Sequence, residues 1–515
     1  SLNASDAEVP GGDESASLLR AAAVVPGQLP DEEDDDEIPV ALRNVVREKR
    51  SRGAIWLAEQ GRGHAGAGMG SLVVAFGDYQ RGQLGVEPTA AARQVSKNTI
   101  VTIEDLRGCE PLQVEASGVA SLVVGSRGQV WGFGSNRSME LGARKEIAQV
   151  QAPQRLKSLR DIKAVQVASS ASASGQAHTL ALAEDGHVYT FGTSSSGALA
   201  QGQEVRQTAP LLLRLTLTVP IRQVAAGARH SLLITDGGEI FAVGDNSHGQ
   251  LGHGKRDPAN AWSPKFAHEP FPVEGELANL KVRYVATGDD HNLVTTEDGR
   301  VFAWGANSNG QLGLGRVGDQ ATPVPIREFK DADVTSMACG ARHSLVVSAG
   351  GKQVWSFGSN VQGQLGLGQS SAADGFQLVS PTLVPSLRNQ TFMEVVQVAA
   401  AGCHSMAVTK NGELWAWGDN AYGQLGFPKE GQGHRMSHAV ASAAQAARPI
   451  PPRNPPRTQP QQYSQSRTAI EVDAPRMFAE GVARLFVPVK VVSLTLYRVI
   501  SASTSDLHTL VVASS

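Results

Sequence analysis

Histidine is the residue in this chain whose type and spacing could do chemistry, because an imidazole can bind a metal or carry a proton near neutral pH. It recurs at a nearly constant distance before a glycine, as His178, His230, His291, His343 and His404, and the C-terminal segment has a further copy, His508, with no glycine after it. No second histidine or cysteine stands at ligand spacing. Cys403 directly precedes His404, and adjacent side chains of a strand face opposite sides. We therefore predict no metal site, and structural histidines that hydrogen-bond the backbone of a neighbouring unit.

Three glycine-rich stretches have spacing close to that of nucleotide-binding loops, but they lack the other features of such loops. Gly61 to Gly66 and Gly313 to Gly318 have dinucleotide spacing, but neither opens a helix after a strand. Gly249 to Arg256 resembles a phosphate loop, but Arg256 stands where Ser or Thr would hold magnesium. No Gly-x-Ser-x-Gly elbow or local Ser/His/Asp set is present either. The sequence thus predicts no cofactor and no enzyme activity.

The histidines belong to a repeat that must position them. Val301 to Gly315 reads VFAWGANSNGQLGLG, an alternating apolar run that stops at a glycine and then turns, which is typical of a strand ending in a tight turn. The first turn glycine recurs in seven copies, at Gly77, Gly134, Gly192, Gly244, Gly305, Gly358 and Gly418. A single repeat unit cannot bury its own apolar face, so the copies must stack or close into a ring.

Each copy has the pattern of four antiparallel strands. In one copy, Ile221 to Ala226 precedes the histidine strand, an Asp-Gly-Gly turn follows it, and the turn strand comes next. The first copy, Ser71 to Gly85, lacks a histidine strand, whereas Ser501 to Ser515 has a histidine strand but no turn strand. We predict an all-β, seven-bladed propeller of four-stranded antiparallel blades, whose last blade is closed by N- and C-terminal strands.

The tandem A-G-x-x-H-S/T and G-x-N-x-x-G-Q-L-G motifs resemble the regulator of chromosome condensation repeat family, over about residues 70–427 and 488–515. The resemblance implies the same seven-bladed propeller. Founding members of that family catalyse nucleotide exchange on the Ran GTPase through a wedge hairpin in an early blade. Here the turns Gly134 to Gly142 and Gly192 to Ala200 keep the ordinary length, so no wedge insertion is expected.

The plant ultraviolet-B photoreceptor is another member to which the chain is similar. Its chromophore is a cluster of tryptophans carried on G-W-R-H-T repeats. This chain has Ala228 and Ala341 at the tryptophan position, and its own tryptophans lie on the turn strands. We therefore expect packing tryptophans and no photoreception.

Composition narrows the classes of partner. The 515 residues carry a formal net charge of −3, so no overall basic field attracts nucleic acid, and direct binding to it is not expected. Cys109, Cys339 and Cys403 are too few and scattered for a disulfide framework. We expect an intracellular, reducing compartment, with cytoplasmic or cytoskeletal placement favoured over nuclear or organellar. No apolar run is long enough for membrane insertion.

Two segments fall outside the repeat. Residues 1–69 form a predicted irregular extension, acidic at Asp31 to Glu37 and basic at Val40 to Arg52. Residues 70–515 form the propeller, interrupted at about 428–487 by a Pro/Gln/Ala-rich insertion. The acidic block is either a solvated tail or a docking segment for a basic partner. The insertion is either an irregular surface loop or a peptide ligand for a proline-recognising domain.

Loop residues that vary between copies are free to specify partners. Just before the histidine, the copies read Ala228-Arg229, Asp289-Asp290 and Ala341-Arg342. Arg229 and Arg342 are the first candidate partner-binding residues, with Asp289 and Asp290 beside them, although solvated loop charges are the alternative. Our hypothesis is a non-catalytic scaffold that binds other proteins within a larger assembly, with both irregular segments as tethering arms. The alternative is an exchange factor for a Ran-like small GTPase.

Overall fold

The apolar runs of the repeat form strands separated by tight turns in the computed structural model. The structure describes residues 71–86, 100–143, 147–171, 175–202, 206–213, 219–254, 265–368, 377–387, 393–427, 484–491, 494 and 497–514. The predicted extension at 1–69 and most of the predicted insertion, residues 428–483, lie outside the described residues. Their roles as tethering arms therefore stay predictions.

The described residues form seven four-stranded antiparallel sheets, which confirms the predicted all-β propeller. The chain first supplies β1 (Ser71–Gly77) and β2 (Val101–Thr102) to blade 7. Blade 1 is β3 (Pro111–Ser117), β4 (Ala120–Gly125), β5 (Val130–Ser135) and β6 (Gln149–Arg155). Blade 2 is β7 (Ala164–Ala171), β8 (Ala177–Ala183), β9 (Val188–Thr193) and β10 (Arg206–Leu212). Blade 3 is β11 (Ile221–Ala226), β12 (His230–Thr235), β13 (Ile240–Asp245) and β14 (Phe266–Pro272).

The second half of the ring repeats the same order. Blade 4 is β15 (Val282–Thr287), β16 (His291–Thr296), β17 (Val301–Gly305) and β18 (Gln320–Pro325). Blade 5 is β19 (Ser336–Cys339), β20 (His343–Ser348), β21 (Gln353–Ser359) and β22 (Gln377–Leu383). Blade 6 is β23 (Val395–Ala401), β24 (His404–Thr409), β25 (Leu414–Asp419) and β26 (Arg484–Lys490). Short 3-10 helices lie at Glu104–Leu106, Lys157–Leu159, Glu276–Asn279, Arg327–Phe329 and Pro385–Leu387.

Blade 7 closes the ring with both ends of the described chain. It consists of β27 (Arg498–Thr504), β28 (His508–Ser514), β1 and β2, in the order β2-β1-β28-β27. The strands β1 and β28 are antiparallel, with Ser71 opposite Ser514 and Gly77 opposite His508. The predicted split closure is therefore confirmed, and the register joins each end to the strand that it lacks.

The core lies between the faces of neighbouring blades. Trp304 and Trp417, on the third strands of blades 4 and 6, are fully buried, as the sequence predicted for packing residues. Each indole donates its N–H back to the preceding blade, to the carbonyl of Gln250 at 2.9 Å and of Gln364 at 2.8 Å. Burying one such ring stabilises the fold by about 4–6 kcal/mol before chain entropy is subtracted.

The recurring histidines link neighbouring blades through side chains. His178 Nε2 lies 3.0 Å from Ser231 Oγ, and His291 Nε2 lies 2.9 Å from Ser344 Oγ. The other linked pairs are His230 with Asn292, His343 with Ser405, His404 with Thr504 and His508 with Ser121. The Nε2 atoms therefore have side-chain partners, which the sequence did not predict, and backbone groups of the next blade also act on His178, His343 and His508. Adjacent residues of a strand face opposite sides, so a histidine faces one neighbour while the polar residue after it faces the other.

The same contacts fix the proton on each ring. Ser231 Oγ donates its own proton to the carbonyl of Ala198 at 3.0 Å, in the turn of the histidine's own blade. Asn292 likewise uses its amide N–H on the carbonyl of Gln250, at 2.9 Å, and leaves Oδ1 as acceptor for His230 Nε2. The imidazole must therefore donate from Nε2, and burial, which lowers the pKa of the ring, keeps it neutral. Each link ties the second strand and the turn of one blade to the second strand of the next.

The glycine of the A-G-x-x-H motif is explained by the ring beside it. A Cβ at Gly227 would lie 2.2 Å from His230 Cε1, and a Cβ at Gly288 would lie 2.3 Å from His291 Cε1. Blade 1 departs from the pattern, because Ala120 replaces the histidine. There Thr179 Oγ1 donates to the carbonyl of Glu140 at 2.8 Å and contacts a second hydroxyl of blade 2 instead of an imidazole.

Replacing Gly77 by alanine should open the closing blade. Gly77 has φ +117°, and a Cβ there would lie 2.5 Å from the Leu507 carbonyl oxygen and 2.6 Å from His508 Cα. Gly108 is the matched control, since it has φ +86° but open space around its Cβ. Both variants bear the cost of a positive φ, and Gly77→Ala should lose about 1–3 kcal/mol more in the free energy of unfolding. If Gly77→Ala and Gly108→Ala give equal urea unfolding curves, close contact between β1 and β28 at Gly77 does not contribute to stability.

Acid should unfold the ring through its histidines. Burial lowers the pKa of His178 to about 4 and the pKa of His291, His343, His404 and His508 to about 3. The unfolded chain binds these protons near pH 6.5, so stability is complete above that pH and falls as pH decreases toward about 3. His291→Gln should reduce the slope of the free energy of unfolding between pH 6 and pH 4.5 by about 1.4 kcal/mol per pH unit.

Urea titrations at several pH values measure that slope. His187→Gln is the control, because His187 lies on an exposed turn beside Asp185 and outside the blade interfaces. If both variants retain the wild-type slope, the buried imidazoles are not the source of acid sensitivity.

Candidate functional site at the mouth of the central channel

The first strands of the blades surround a central channel. Its described lining encloses about 170 Å³, and most wall positions are Ala, Gly, Ser or Thr. Small side chains fit here because seven strands converge on one axis. The loops between the first and second strands of the blades form its mouth, and the turns after the third strands lie at the same end of each blade.

All four predicted partner-binding residues lie at this mouth. Arg229, Asp289, Asp290 and Arg342 occupy the first loops of blades 3, 4 and 5, which are consecutive in the ring. Backbone hydrogen bonds join these loops, from Ala228 N to Asp289 O at 3.1 Å and from the blade 5 loop to blade 6. The structure therefore assembles the four residues into one charged surface.

Arg229 has a structural partner as well as an exposed part. Its Nη2 lies 2.6 Å from Asp245 Oδ2, and the Asp245 side chain is fully buried. The same nitrogen lies 3.8 Å from Asp290 Oδ1, on the next blade. Arg229 keeps 37% side-chain exposure, but its charge compensates a carboxylate that water does not reach.

Asp289 lies in a strongly acidic part of the mouth. Burial raises the pKa of its carboxyl group to about 7, and the nearby Asp506 and Asp290 raise it further, whereas Arg342 and Arg229 act in the opposite direction. Burial likewise raises the pKa of Asp506, with Asp419 adding to the effect. Both side chains keep contact with water, but the concave mouth displaces part of their hydration. This surface therefore carries more negative than positive charge close to the axis.

Arg342 differs from Arg229 in being exposed. Its charge lowers the pKa of Asp289 and of Cys403, although burial raises the pKa of the Cys403 thiol to about 11 overall. An exposed guanidinium beside partly desolvated carboxylates can form a forked pair with a carboxylate on another molecule. Arg342 is thus the candidate cation that the fold does not require for itself.

Sequence reasoning missed three groups of residues at this end of the blades. Asp506 stands two residues before its histidine, as Asp289 does, so aligning the C-terminal copy with the others could have revealed it. Glu115 lines the channel and accepts a hydrogen bond from the Ser169 backbone N–H at 3.4 Å. Exposed apolar side chains also lie on the turns, with exposed fractions of 43% for Tyr79, 51% for Val361 and 46% for Tyr422.

The described residues contain no group of three or more histidine, cysteine, aspartate or glutamate side chains arranged to hold a metal ion. The repeat histidines are turned into the blade interfaces and are fully buried or nearly so. Within the same part of the chain, no helix has the length and apolar character needed to cross a membrane.

Comparisons with known proteins agree with the ring. Residues 72–447 match the family model described as RCC1-like domain. Human HERC6, a probable E3 ubiquitin-protein ligase, is 35% identical over 292 residues, which are 56% of this chain and 26% of HERC6. The ultraviolet-B receptor UVR8 of Arabidopsis thaliana is 30% identical over 272 residues, which are 53% of this chain and 58% of UVR8.

Solved structures show the same fold at lower identity. Prp20p from Saccharomyces cerevisiae superposes with a TM-score of 0.66 at 19% identity, covering 89% of this chain and 94% of that one. This chain spans only about a quarter of HERC6 and just over half of UVR8, so the activities of those whole proteins are separate questions. The family model covers well over half of the chain and includes all strands of the ring from β1 to β25, and the chain therefore belongs to the RCC1-like domain family.

Proposed function

We propose that this propeller is a non-catalytic interaction platform, which binds a protein partner within a larger assembly through the face around the channel mouth. The observation that carries the proposal is the gathering of Arg342, Asp289 and Asp290 on adjacent loops, where Arg342 and Asp289 are exposed. Variable loops on a rigid ring are where binding residues concentrate, and arginine is enriched at the centres of interfaces.

The exposed turn residues support the same face. Tyr79, Val361 and Tyr422 lie on the turns of blades 7, 5 and 6, which adjoin one another around the ring. Tyrosine is enriched in interfaces because its ring supplies contact area and its hydroxyl supplies a hydrogen bond. Apolar and charged groups therefore occur together on one end of these blades.

The relatives support proteins as the class of partner. The structure of Prp20p was described together with its binding to Gsp1p and histones, which are proteins. HERC6 is a probable ubiquitin ligase, and this chain resembles only about a quarter of it. We therefore propose a protein partner for this chain, and we do not propose that it shares the reactions of those relatives.

Reversing the charge of Arg342 should weaken partner binding without unfolding the ring. We expect Arg342→Glu to lower recovery of the native complex in an affinity pulldown by about tenfold, because like charges then meet across the interface. The melting temperature should remain near the wild-type value, since Arg342 is exposed.

Arg229→Ala is the contrasting variant. It leaves the buried Asp245 carboxylate without its cation and should reduce the free energy of unfolding by about 2 kcal/mol. Lys352→Glu, at an exposed position on a hairpin turn outside the mouth, is the control for surface charge. If Arg342→Glu recovers as much complex as the wild type, the partner does not bind through the channel mouth.

Nucleotide exchange on a Ran-like GTPase is the competing proposal. The early turns have ordinary hydrogen bonds, from Gly142 N to Met139 O at 2.9 Å and from Ala200 N to Gly197 O at 2.9 Å, which supports the expectation that they hold no wedge insertion. We therefore expect catalytic amounts of this chain to leave the rate of fluorescent GDP release from Ran unchanged. An acceleration proportional to the concentration of the chain would replace the platform with an exchange factor.

A further inference from the structure

We propose that blade 1 has a second protein-binding surface, at the end of the blades opposite the channel mouth, which binds an acidic segment of a protein partner. The surface consists of the hairpin between β4 and β5, the end of β6, and the 3-10 helix with the residues that follow it. We call it the basic surface, and its cations are Arg127, Arg155, Lys157, Arg160 and Lys163. The inference goes beyond the proposed platform, because it concerns the other end of the blades and states the charge of the bound segment.

Backbone hydrogen bonds hold the parts of the basic surface together. Arg155 ends β6, and the residue after it donates its N–H to the carbonyl of Val130 on β5, at 2.8 Å. Gly128, in the hairpin, accepts from the Ala164 N–H at 2.9 Å, and a Cβ on this glycine would lie 2.8 Å from Lys163 Cα. The hairpin, the strand end and the segment after the helix therefore present their cations on one part of blade 1.

Buried leucines fix the direction of the charged side chains. Leu156 and Leu159 are 5% and 1% exposed, and both belong to the apolar core beneath the 3-10 helix. Lys157 and Arg160, which alternate with them, are exposed. Because the backbone of this segment is already anchored, a bound partner would order side chains only, which lowers the entropic cost of binding.

The cations outnumber the carboxylates around them. Arg160 Nε lies 3.2 Å from Asp161 Oδ1, and Glu110, beside the hairpin, accepts a hydrogen bond from Ser126 Oγ at 2.7 Å. Within the part of the chain that the structure describes, no ion pair or side-chain hydrogen bond involves the other four cations, which are all exposed: Arg127, Arg155, Lys157 and Lys163. Their charge is therefore available to a partner.

At the same end of three other blades, the charges are acidic or already paired. The hairpin of blade 2 carries the exposed Asp185. In the hairpin of blade 4, Arg300 Nη2 lies 2.7 Å from Asp298 Oδ2. In the hairpin of blade 6, Lys410 Nζ lies 2.9 Å from Glu394 Oε2. The fold thus supplies carboxylates for the cations of blades 4 and 6, whereas four cations of blade 1 lack them.

An exposed apolar side chain adjoins the cations. The 3-10 helix contacts β10 of blade 2, where Leu212 keeps 43% exposure. Leu212 is opposite Tyr189 on β9, and paired residues of adjacent strands lie on the same face of a sheet. Tyr189 packs against the same apolar core as Leu159, so Leu212 faces blade 1. A segment that combines carboxylates with an apolar side chain would match both features of this surface.

The flanking charges favour a narrow peptide over an extended polyanion. Glu104 and Asp105, on the blade 7 helix, and Asp185, on the blade 2 hairpin, are exposed on either side of blade 1. A flat anionic membrane or a nucleic acid would bring its phosphates close to these carboxylates, which would repel them. A peptide segment contacts blade 1 alone, and its carboxylates suit the forked donors of arginine.

A labelled peptide of glutamate and glycine with a central leucine tests the proposal, and the same peptide with glutamine in place of glutamate is the neutral probe. Fluorescence anisotropy with the full chain should show binding of the glutamate peptide, and about tenfold weaker binding of the glutamine form. Arg155→Glu combined with Lys157→Glu should cause a similar loss at an unchanged melting temperature, because both side chains are exposed. Lys330→Glu combined with Lys352→Glu is the matched control, at exposed positions after the blade 4 helix and on the blade 5 hairpin.

Leu212→Ser should weaken binding of the glutamate peptide by about threefold, because it removes the apolar contact without changing charge. Equal affinity for both peptides overturns the proposal, as does an equal loss in the two doubly substituted chains, since the attraction would then not be local. Tighter binding of duplex DNA or of phosphatidylserine vesicles than of the glutamate peptide also overturns it, in favour of a nucleic-acid or membrane surface.

The titrations are repeated with Asp31 to Glu37 replaced by Gly and Ser, because this block of the chain is itself acidic. Failure of the glutamate peptide to bind both forms of the chain overturns the proposal. Arg342→Glu should leave the affinity for the peptide unchanged, since Arg342 lies at the channel mouth. Loss of the native complex and loss of peptide binding therefore report on separate surfaces, and either proposal can fail while the other stands.

Discussion

The hydrogen bond between a neutral imidazole of one blade and a hydroxyl or amide of the next is the interaction on which the ring depends. It is polar, yet it lies in the buried interface, where an unsatisfied group would cost about 1–3 kcal/mol. The hydroxyl of Ser231 or Ser344 donates its own hydrogen bond to a turn carbonyl of the first blade. Its oxygen is thus left to accept the hydrogen bond from the imidazole. The six interfaces that carry this link are thereby specified in direction and register, which apolar packing alone does not achieve.

A ring specified in this way leaves its loops free to vary. Two residues of the A-G-x-x-H motif are open in blades 3, 4 and 5, because the glycine accommodates the imidazole and the histidine makes the link. Those two positions project at the channel mouth, where the blades bring Arg229, Asp289 and Arg342 together. The glycine and the histidine that the fold requires thus also fix which loop positions can vary and contribute charged side chains to the surface.

The fold was predictable from the sequence because its signals repeat. The seven turn glycines, including Gly77 and Gly305, all have positive φ. The same local signal for a turn therefore occurs seven times at equivalent positions of the repeat. The split closure followed from the incomplete copies at the two ends. The side-chain partners of the histidines were not predicted, because spacing along a strand shows which residues share a face but not which groups meet across an interface. Glu115 was missed for the same reason, since its place in the channel lining comes from the convergence of strands around the axis, whereas the position of Asp506 in the repeat could have revealed it.

Arg229 and Arg342 show how far the repeat position determines a role. Both precede a histidine directly, and both were equivalent candidates by sequence. In blade 3 the turn supplies Asp245, a buried carboxylate that holds Arg229, whereas blade 5 has Ser359 at the equivalent place after the turn glycine. A serine does not compensate a guanidinium charge, so Arg342 keeps its charge available at the surface. The residue that follows the turn glycine on the third strand therefore distinguishes Arg229, which is paired within the fold, from Arg342, which stays exposed at the mouth.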